Sequence, residues 1–223
     1  MKKMIVTIII LFIIFISMVI YRNIEKESEL KVDEVNKIES YIEKIYGWKE
    51  VTNEALPDFS NINNADEKWI WAIVRENLDE FEVQYDKIGK KAKELYGDEF
   101  NKQFPIEGNE FIAYDNQNNK YKINEITLDA ISDSYLLSKI EKEKNGYNVE
   151  IVEYLVDYTN SEEGKVEIQN LNGDKIYELT DEEATEGNIK KVIKENIDKA
   201  DKKKIELENI NGNIVVKKIE KEN

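Results

Sequence analysis

The chain has 223 residues, 47 of them acidic and 32 basic, and carries a net charge of −15 at pH 7. It contains no histidine and no cysteine, which excludes imidazole acid–base catalysis, thiol nucleophiles, disulfides and the usual zinc and copper sites. The negative charge disfavours nucleic acid as a partner and favours cations or basic proteins. Keeping the domain soluble is the simpler explanation of the same charge.

The most apolar part of the chain is the uncharged run from Met4 to Tyr21. As a helix it would extend about 27 Å, at roughly 1.5 Å per residue, which approaches the roughly 30 Å of a bilayer's hydrocarbon core. No small-residue cleavage site follows, since the first alanine is Ala55 and the first glycine is Gly47. We predict an uncleaved transmembrane signal-anchor helix at residues 4–21; a cleaved signal peptide and a buried helix are the alternatives.

The anchor is predicted to have its N-terminus in the cytoplasm. Basic residues lie close to both ends of the run, so the positive-inside rule alone does not decide. A short basic head before a long apolar run is typical of a signal-anchor and favours this orientation. We predict a cytoplasmic head at residues 1–3, a polar stalk at 22–31 and one extracytoplasmic domain at 32–223, outside the cell membrane.

Two helices of the domain are predicted from apolar residues spaced three and four apart. Val32 to Tyr46 has this spacing and is followed by Gly47, and Ile88 to Tyr96 has it and is followed by Gly97. Glycine is the usual residue just after a helix. The alternating apolar residues of Phe81 to Tyr85 predict a short strand between helices.

A third helix, ADEKWIWAIVRENL, is predicted to begin at Asn64, with Asn64 as its N-cap and Glu67 at N3. Its apolar residues cover a broad arc of about 200°, at 100° per residue, which indicates deep burial. Trp69 and Trp71 lie at the edges of this arc. They are candidate partner-binding residues, as stacking groups for a glycan or anchors for a protein. Closing the ends of a helix–sheet core is the favoured alternative.

After a last helical turn, predicted to be capped by Asp98 and to carry Phe100 and Phe104, the period changes to that of strands. Six to eight strands are predicted, joined as antiparallel hairpins in one sheet, with a late helix at Asn188 to Lys199. Gly146 is expected at φ > 0, as a type I′ turn requires. The predicted turns are Asp115–Lys120, Asn145–Gly146, Asn172–Gly173 and Asn211–Gly212.

Helical residues Trp69–Phe104 leading into hairpins resemble the cystatin-like or NTF2-like α+β architecture, over most of residues 65–220. The abundance of Ile, Lys, Glu and Asn is similar to that of low-GC Gram-positive bacterial proteins, in which exported domains of this architecture occur. The resemblance implies an α+β fold with helices packed on an antiparallel sheet. It implies no particular activity, because such folds serve many unrelated functions.

Carboxylates are the main remaining source of chemistry. Glu150 and Glu153, with Tyr154 and Tyr158 on the same predicted strand, are the candidates for a glycosidase pair. Residues three apart on a strand point to opposite faces, so these two carboxylates are not expected to share a cleft. A solvated, charge-rich face is the favoured explanation.

Two segments have the alternating oxygen ligands of calcium loops. Asp115, Gln117 and Asn119 resemble the start of an EF-hand, but Lys120 replaces the glycine and Ile126 the final glutamate that the loop requires. The second segment alternates in the same way within a predicted hairpin turn, at Asn170, Asn172 and Asp174. Turn chemistry explains both more simply, and no metal or cofactor is predicted.

The resulting expectation is a single-pass, membrane-anchored binding or accessory domain of the cell envelope that is not an enzyme. Its charge suggests a basic envelope protein as partner. An inhibitor or chaperone of envelope hydrolases would differ only in the identity of that partner. The alternative from another class is a carboxylate-dependent glycan hydrolase of the envelope. It would need two carboxylates about 5 to 9.5 Å apart in a cleft, one of them desolvated.

Overall fold

The computed structural model describes residues 30–47, 56–125 and 131–222. No helix within these ranges is long and apolar enough to cross a membrane. The predicted anchor at residues 4–21 lies outside them, as does the predicted stalk up to residue 29. The chain divides into two compact units, Met1–Asn36 and Lys37–Asn223. All the sheets and all the sites described below belong to the second unit.

The described residues form four α-helices and antiparallel strands, which confirms the predicted α+β class. The helices are α1 (Val32–Tyr46), α2 (Glu67–Glu76), α3 (Tyr85–Tyr96) and α4 (Glu186–Glu195). Short 3₁₀ turns lie at Ile62–Asn64, Ser161–Glu163 and Asp181–Glu183. The strands are β1 (Glu82–Val83), β2 (Ile112–Asp115), β3 (Lys120–Ile123), β4 (Ile131–Glu143), β5 (Gly146–Asp157), β6 (Lys165–Gln169), β7 (Lys175–Thr180), β8 (Asp201–Ile210) and β9 (Asn213–Lys221).

The start of α2 differs from the prediction. Asn64 ends a 3₁₀ turn, and the N-cap of α2 is Asp66, whose carboxylate accepts a hydrogen bond from the Trp69 amide at 3.1 Å. The carboxylate therefore satisfies one of the free amides at the helix start. The deep burial predicted for this helix is confirmed, because every residue from Trp69 to Val74 is buried.

The helix Val32–Tyr46 has the predicted bounds, whereas the late helix and the turn after Asp98 differ from the prediction. α4 begins two residues before Asn188, with Thr185 as its N-cap, and ends at Glu195 instead of Lys199. The turn predicted after Asp98 is not a helix. Residues 101–104 have no regular secondary structure, and the amide of Asn101 donates to the side-chain oxygen of Asn63 at 2.9 Å and not to a helical carbonyl.

The described strands form two sheets where one was predicted. The small sheet has the order β1-β3-β2, and its strand β1 ends at Val83 because Tyr85 already begins α3. In the large sheet, β5 pairs along its whole length with β4. On its other edge β5 pairs with β8 over residues 146–153 and with β6 over residues 155–157. β9 and β7 then add outside β8 and β6.

The predicted hairpins are present, but the role expected of Gly146 is wrong. Asn211 and Gly212 have φ values of 53° and 94°, as a type I′ turn needs, and Gly173 has a φ of 83°. Gly146 instead is the first residue of β5 and has no positive φ. Glycine is required there by close approach: an added Cβ would lie 1.9 Å from the carbonyl oxygen of Leu207 on β8.

The two faces of β5 pack against different parts of the domain, because successive side chains of a strand point to opposite faces of the sheet. Val152, Tyr154 and Val156 belong to a buried cluster with α4. The opposite face carries Glu153, which accepts a hydrogen bond from the Tyr46 hydroxyl of α1 at 3.3 Å. The cluster with α4 also contains Leu136, Val166, Ile168, Ile176, Leu179, Ile189, Val192 and Ile193.

Candidate functional site

A groove lies between α3 and the segment without regular secondary structure that follows it. Its volume of about 570 Å³ falls within the roughly 300–1,000 Å³ of small-molecule sites. One wall is a single face of α3, and the other is the chain from Asp98 to Phe104. The lining residues are Tyr85, Asp86, Gly89, Lys90, Lys93, Asp98, Phe100, Asn101, Lys102, Gln103 and Phe104.

The groove is open because α3 carries a glycine on the face that lines it. An added Cβ at Gly89 would have no atom within 4 Å. Glycine within a helix costs about 1 kcal/mol relative to alanine. Because a Cβ at Gly89 would meet no atom, the packing of the fold does not require glycine there. Since glycine has no side chain, this part of the groove stays open.

Buried aromatic side chains form the floor of the groove. Phe100 and Phe104 are each 3 % exposed. The indole of Trp71 packs edge-on against both rings, with centroid distances of 5.9 Å and 5.1 Å. The Tyr85 hydroxyl donates to the Phe104 carbonyl oxygen at 2.6 Å and joins the two walls at one end. At the other end Gly97, with φ 86°, ends α3 and turns the chain back.

The charges of the groove largely cancel one another. Lys90 pairs with Asp86 at 2.9 Å, and this hydrogen bond and the ammonium charge lower the pKa of the Asp86 carboxyl. Lys102 is held by the carboxylate of Glu67 at 3.1 Å. Lys93 and Asp98, both exposed, form no ion pair within residues 30–47, 56–125 and 131–222. One positive and one negative charge are thus left to meet a ligand.

Trp69 and Trp71, the candidate partner-binding residues, lie in the core of this structure, 0 % and 2 % exposed. Trp69 packs between Phe59 and Tyr96, with centroid distances of 5.5 Å and 5.7 Å. This burial supports the packing explanation. Trp71 reaches the groove only from beneath, through the phenylalanines of the floor. The sequence prediction missed the groove itself; its one signal was Gly89, a glycine inside an otherwise regular helix.

The structure keeps the carboxylates of β5 apart, as the residue spacing predicted. Glu153 is fully buried and accepts hydrogen bonds from the Tyr46 hydroxyl and the Leu56 amide, both at 3.3 Å. Glu150 lies on the other face of the strand. There Ser138 donates to its carbonyl oxygen at 3.2 Å. Of the two tyrosines considered with them, Tyr154 is 1 % and Tyr158 37 % exposed. These residues do not form one cleft.

Another charged pair, between Lys203 of β8 and Asp58, was not expected from the sequence. Lys203 is only 5 % exposed, and its ammonium donates to the Asp58 carboxylate. Lys203 lies beside Ile151 in the β5–β8 register, on the side of the sheet that also carries Glu153. Burying an ammonium requires such a partner, so the pair satisfies a charge inside the fold.

The two calcium candidates use their oxygens within their own turns. Asp115 accepts from the amide of Gln117 at 3.0 Å and pairs with Lys122 at 2.7 Å; these contacts hold the pKa of its carboxyl well below the usual range. The Asn170 side-chain oxygen accepts from the amides of Asn172 and Asp174. Over the part of the chain that the structure describes, no three acidic side chains are placed to hold a metal ion.

Two acidic 3₁₀ turns meet at one corner of the large sheet. The Asp181 amide donates to the Gly164 carbonyl oxygen at 3.2 Å and joins the turn Ser161–Glu163 to the turn Asp181–Glu183. The carboxylates that we call the acidic corner are all exposed, and none forms an ion pair with a residue that the structure describes; they belong to Glu162, Glu163, Asp181 and Glu182.

Comparison with known proteins adds no relative. The chain matches no protein-family model, no curated protein and no solved structure. The fold and the surface themselves define an α+β domain with a neutral groove and a separate acidic corner.

Proposed function

We propose that the chain is a binding or accessory domain of the cell envelope, held outside the membrane by a helix at residues 4–21. Its acidic corner would dock a basic envelope protein. The observation that carries this proposal is the group of exposed carboxylates without ion pairs at that corner. Elsewhere in the described residues, many carboxylates are paired with lysines, as in Glu82–Lys120 and Glu99–Lys217.

The corner is suited to docking because its backbone is held in place. Glu183 accepts hydrogen bonds from both the amide and the hydroxyl of Thr180, forming a capping box. The hydrogen bond between Asp181 and Gly164 joins the neighbouring turn to it. Carboxylates of one sign on a backbone that is held in place attract a basic surface over several ångströms and help to specify how it docks.

No catalytic role is part of the proposal. Acid–base catalysis by the groove would need a carboxyl group whose pKa is raised towards neutrality. Asp86 has the opposite shift, because Lys90 stabilises its ionised form. The alternative, a carboxylate-dependent glycan hydrolase, would have to use Asp98 as its acid. Loss of glycan cleavage in Asp98→Asn would support that alternative.

We also propose the cystatin-like or NTF2-like architecture as the finer description of the fold. What supports it is the order of elements: three helices, α1 to α3, come before the large sheet, and that sheet is entirely antiparallel. An experimental structure in which the large sheet curves strongly around the helices on one of its faces would support the likeness, and a flat sheet would contradict it.

The docking proposal is tested by immobilising the full chain and capturing proteins from detergent-solubilised envelope, with washes at low and then high salt. One variant removes the acidic corner by Glu162→Gln, Glu163→Gln, Asp181→Asn and Glu182→Gln. A matched control removes the same charge elsewhere, at exposed carboxylates that also lack ion pairs, by Asp79→Asn, Glu125→Gln, Glu195→Gln and Asp198→Asn.

We expect one basic protein to be captured by the wild type and the control at low salt and released at high salt, because salt screens exposed charges. The acidic-corner variant should retain little of it. Equal capture by the two variants would contradict docking at this corner, and so would the absence of any captured basic protein.

A further inference from the structure

We propose that the groove beside α3 binds a neutral oligosaccharide. The groove shares no residue with the acidic corner, so this inference stands independently of the docking proposal. It depends on the balance of charge in the groove, on its polar side chains and on the preformed space at Gly89.

The charge balance favours a neutral ligand. With Asp86 paired to Lys90 and Lys102 held by Glu67, the lining charges without an ion pair among the described residues are Lys93 and Asp98, which are opposite in sign. A phosphate or nucleotide would gain from Lys93 but would be repelled by Asp98. A purely apolar ligand would desolvate charged groups without replacing their hydrogen bonds.

The polar side chains suit a ligand with many hydroxyl groups. Asn101 and Gln103 are exposed on the wall that follows α3, and their side-chain amides make no hydrogen bond with any described residue. An amide both donates and accepts, an ammonium donates and a carboxylate accepts. Together with Lys93 and Asp98, these two amides supply both the donors and the acceptors that sugar hydroxyls require.

The groove also offers an aromatic surface on a rigid base. The side chain of Tyr85 is 39 % exposed, although its hydroxyl is fixed by the Phe104 carbonyl oxygen. A ring held in this way can receive the apolar face of a sugar at little entropic cost. Beneath it, Phe104 packs against Tyr121 at a centroid distance of 5.8 Å as well as against Trp71.

The open space at Gly89 provides a test that leaves the core intact. Gly89→Trp would place an indole in the groove, where an added Cβ meets no atom within 4 Å. Gly187→Trp is the matched control, because Gly187 also lies in a helix with open space at its Cβ but does not line the groove. Asn101→Ala and Gln103→Ala form a second test that alters exposed side chains only.

The measurement is isothermal titration calorimetry on the full chain in phospholipid nanodiscs, with chitotetraose, cellotetraose and maltotetraose as probes and inorganic phosphate as the comparison. We expect at least one tetrasaccharide to bind with a Kd of about 1 mM or tighter. Gly89→Trp should weaken that binding by at least about tenfold, because the indole takes the place of the ligand. Gly187→Trp should bind as the wild type does.

Three results would overturn the proposal. The first is no binding of any of the three tetrasaccharides by the wild type. The second is binding that neither Gly89→Trp nor the double change at Asn101 and Gln103 weakens. The third is phosphate binding that is lost in Gly89→Trp, which would make the groove an anion site.

Discussion

At the scale of single residues, Gly146 shows how a glycine can be required by its neighbour and not by its own turn. A side chain there would overlap the Leu207 carbonyl oxygen, 1.9 Å from an added Cβ. We expect Gly146→Val to lower the free energy of unfolding by roughly 2 kcal/mol or more, since β5 and β8 must separate. Lys142→Val, at an exposed position of β4, should cost much less. Thermal unfolding of both variants checks this, and equal melting temperatures would contradict it.

Gly89 is the opposite case, a glycine that the fold does not require. Gly89→Ala should raise the free energy of unfolding by about 0.5–1 kcal/mol, because alanine loses less entropy in a helix and meets no atom within 4 Å. The melting temperature should rise by about 2–4 °C per kcal/mol for a domain of this size. Circular dichroism during heating would measure it. A lower melting temperature would show that the space around Gly89 is needed for folding.

At the scale of elements, Tyr41 joins one helix to another and to the sheet. Its buried hydroxyl donates to the Leu95 carbonyl oxygen of α3 and accepts from the Val216 amide of β9, both at 2.8 Å. Tyr41→Phe leaves both partners buried and unsatisfied. We expect it to lower the free energy of unfolding at pH 7 by about 1–3 kcal/mol, measured by urea denaturation.

The same residue predicts a pH dependence. Burial raises the pKa of Tyr41 above its ordinary value of 10.0, so the folded state favours the neutral hydroxyl. The stabilisation by the neutral Tyr41 hydroxyl is complete below about pH 10. It is lost as the pH rises further, because the Tyr41 hydroxyl ionises at a lower pH in the unfolded state than in the folded state. The difference between wild type and Tyr41→Phe should therefore shrink above pH 10.

Tyr177→Phe is the control for both measurements, since Tyr177 is 46 % exposed and its hydroxyl forms no hydrogen bond with the part of the chain that the structure describes. It should change stability little at either pH. A difference between wild type and Tyr41→Phe that stays constant from pH 7 to pH 11 would contradict the predicted linkage.

The elements were more predictable than their contacts. Apolar spacing predicted α1 and α3, and the Asn–Gly pairs predicted hairpins, because both signals act over a few neighbouring residues. The N-cap at Asp66 was missed because Asn64 also satisfies the pattern. The groove was missed because its second wall, Asp98 to Phe104, is tied at Asn101 to Asn63, 38 residues away in the chain. A contact between residues so far apart in the chain produces no periodic pattern in the sequence from which it could be predicted.

At the scale of the whole molecule, the two candidate binding surfaces of the second unit are formed by different elements. The groove belongs to α3 and the segment after it, whereas the acidic corner belongs to the turns around β6 and β7. Each lies on local structure that is held by its own hydrogen bonds. We therefore expect changes at one surface to leave binding at the other unaltered, because distant sites without shared contacts usually act additively.

The claim that this domain is held outside a membrane is tested most directly by labelling single cysteines, since the chain has none of its own. Asn172→Cys, in an exposed turn, should react with a membrane-impermeant maleimide in intact cells that express the protein. Lys3→Cys should react only after lysis, and both variants should stay in the membrane pellet through a carbonate wash. Release into the wash, or labelling of Asn172→Cys only after lysis, would contradict the account.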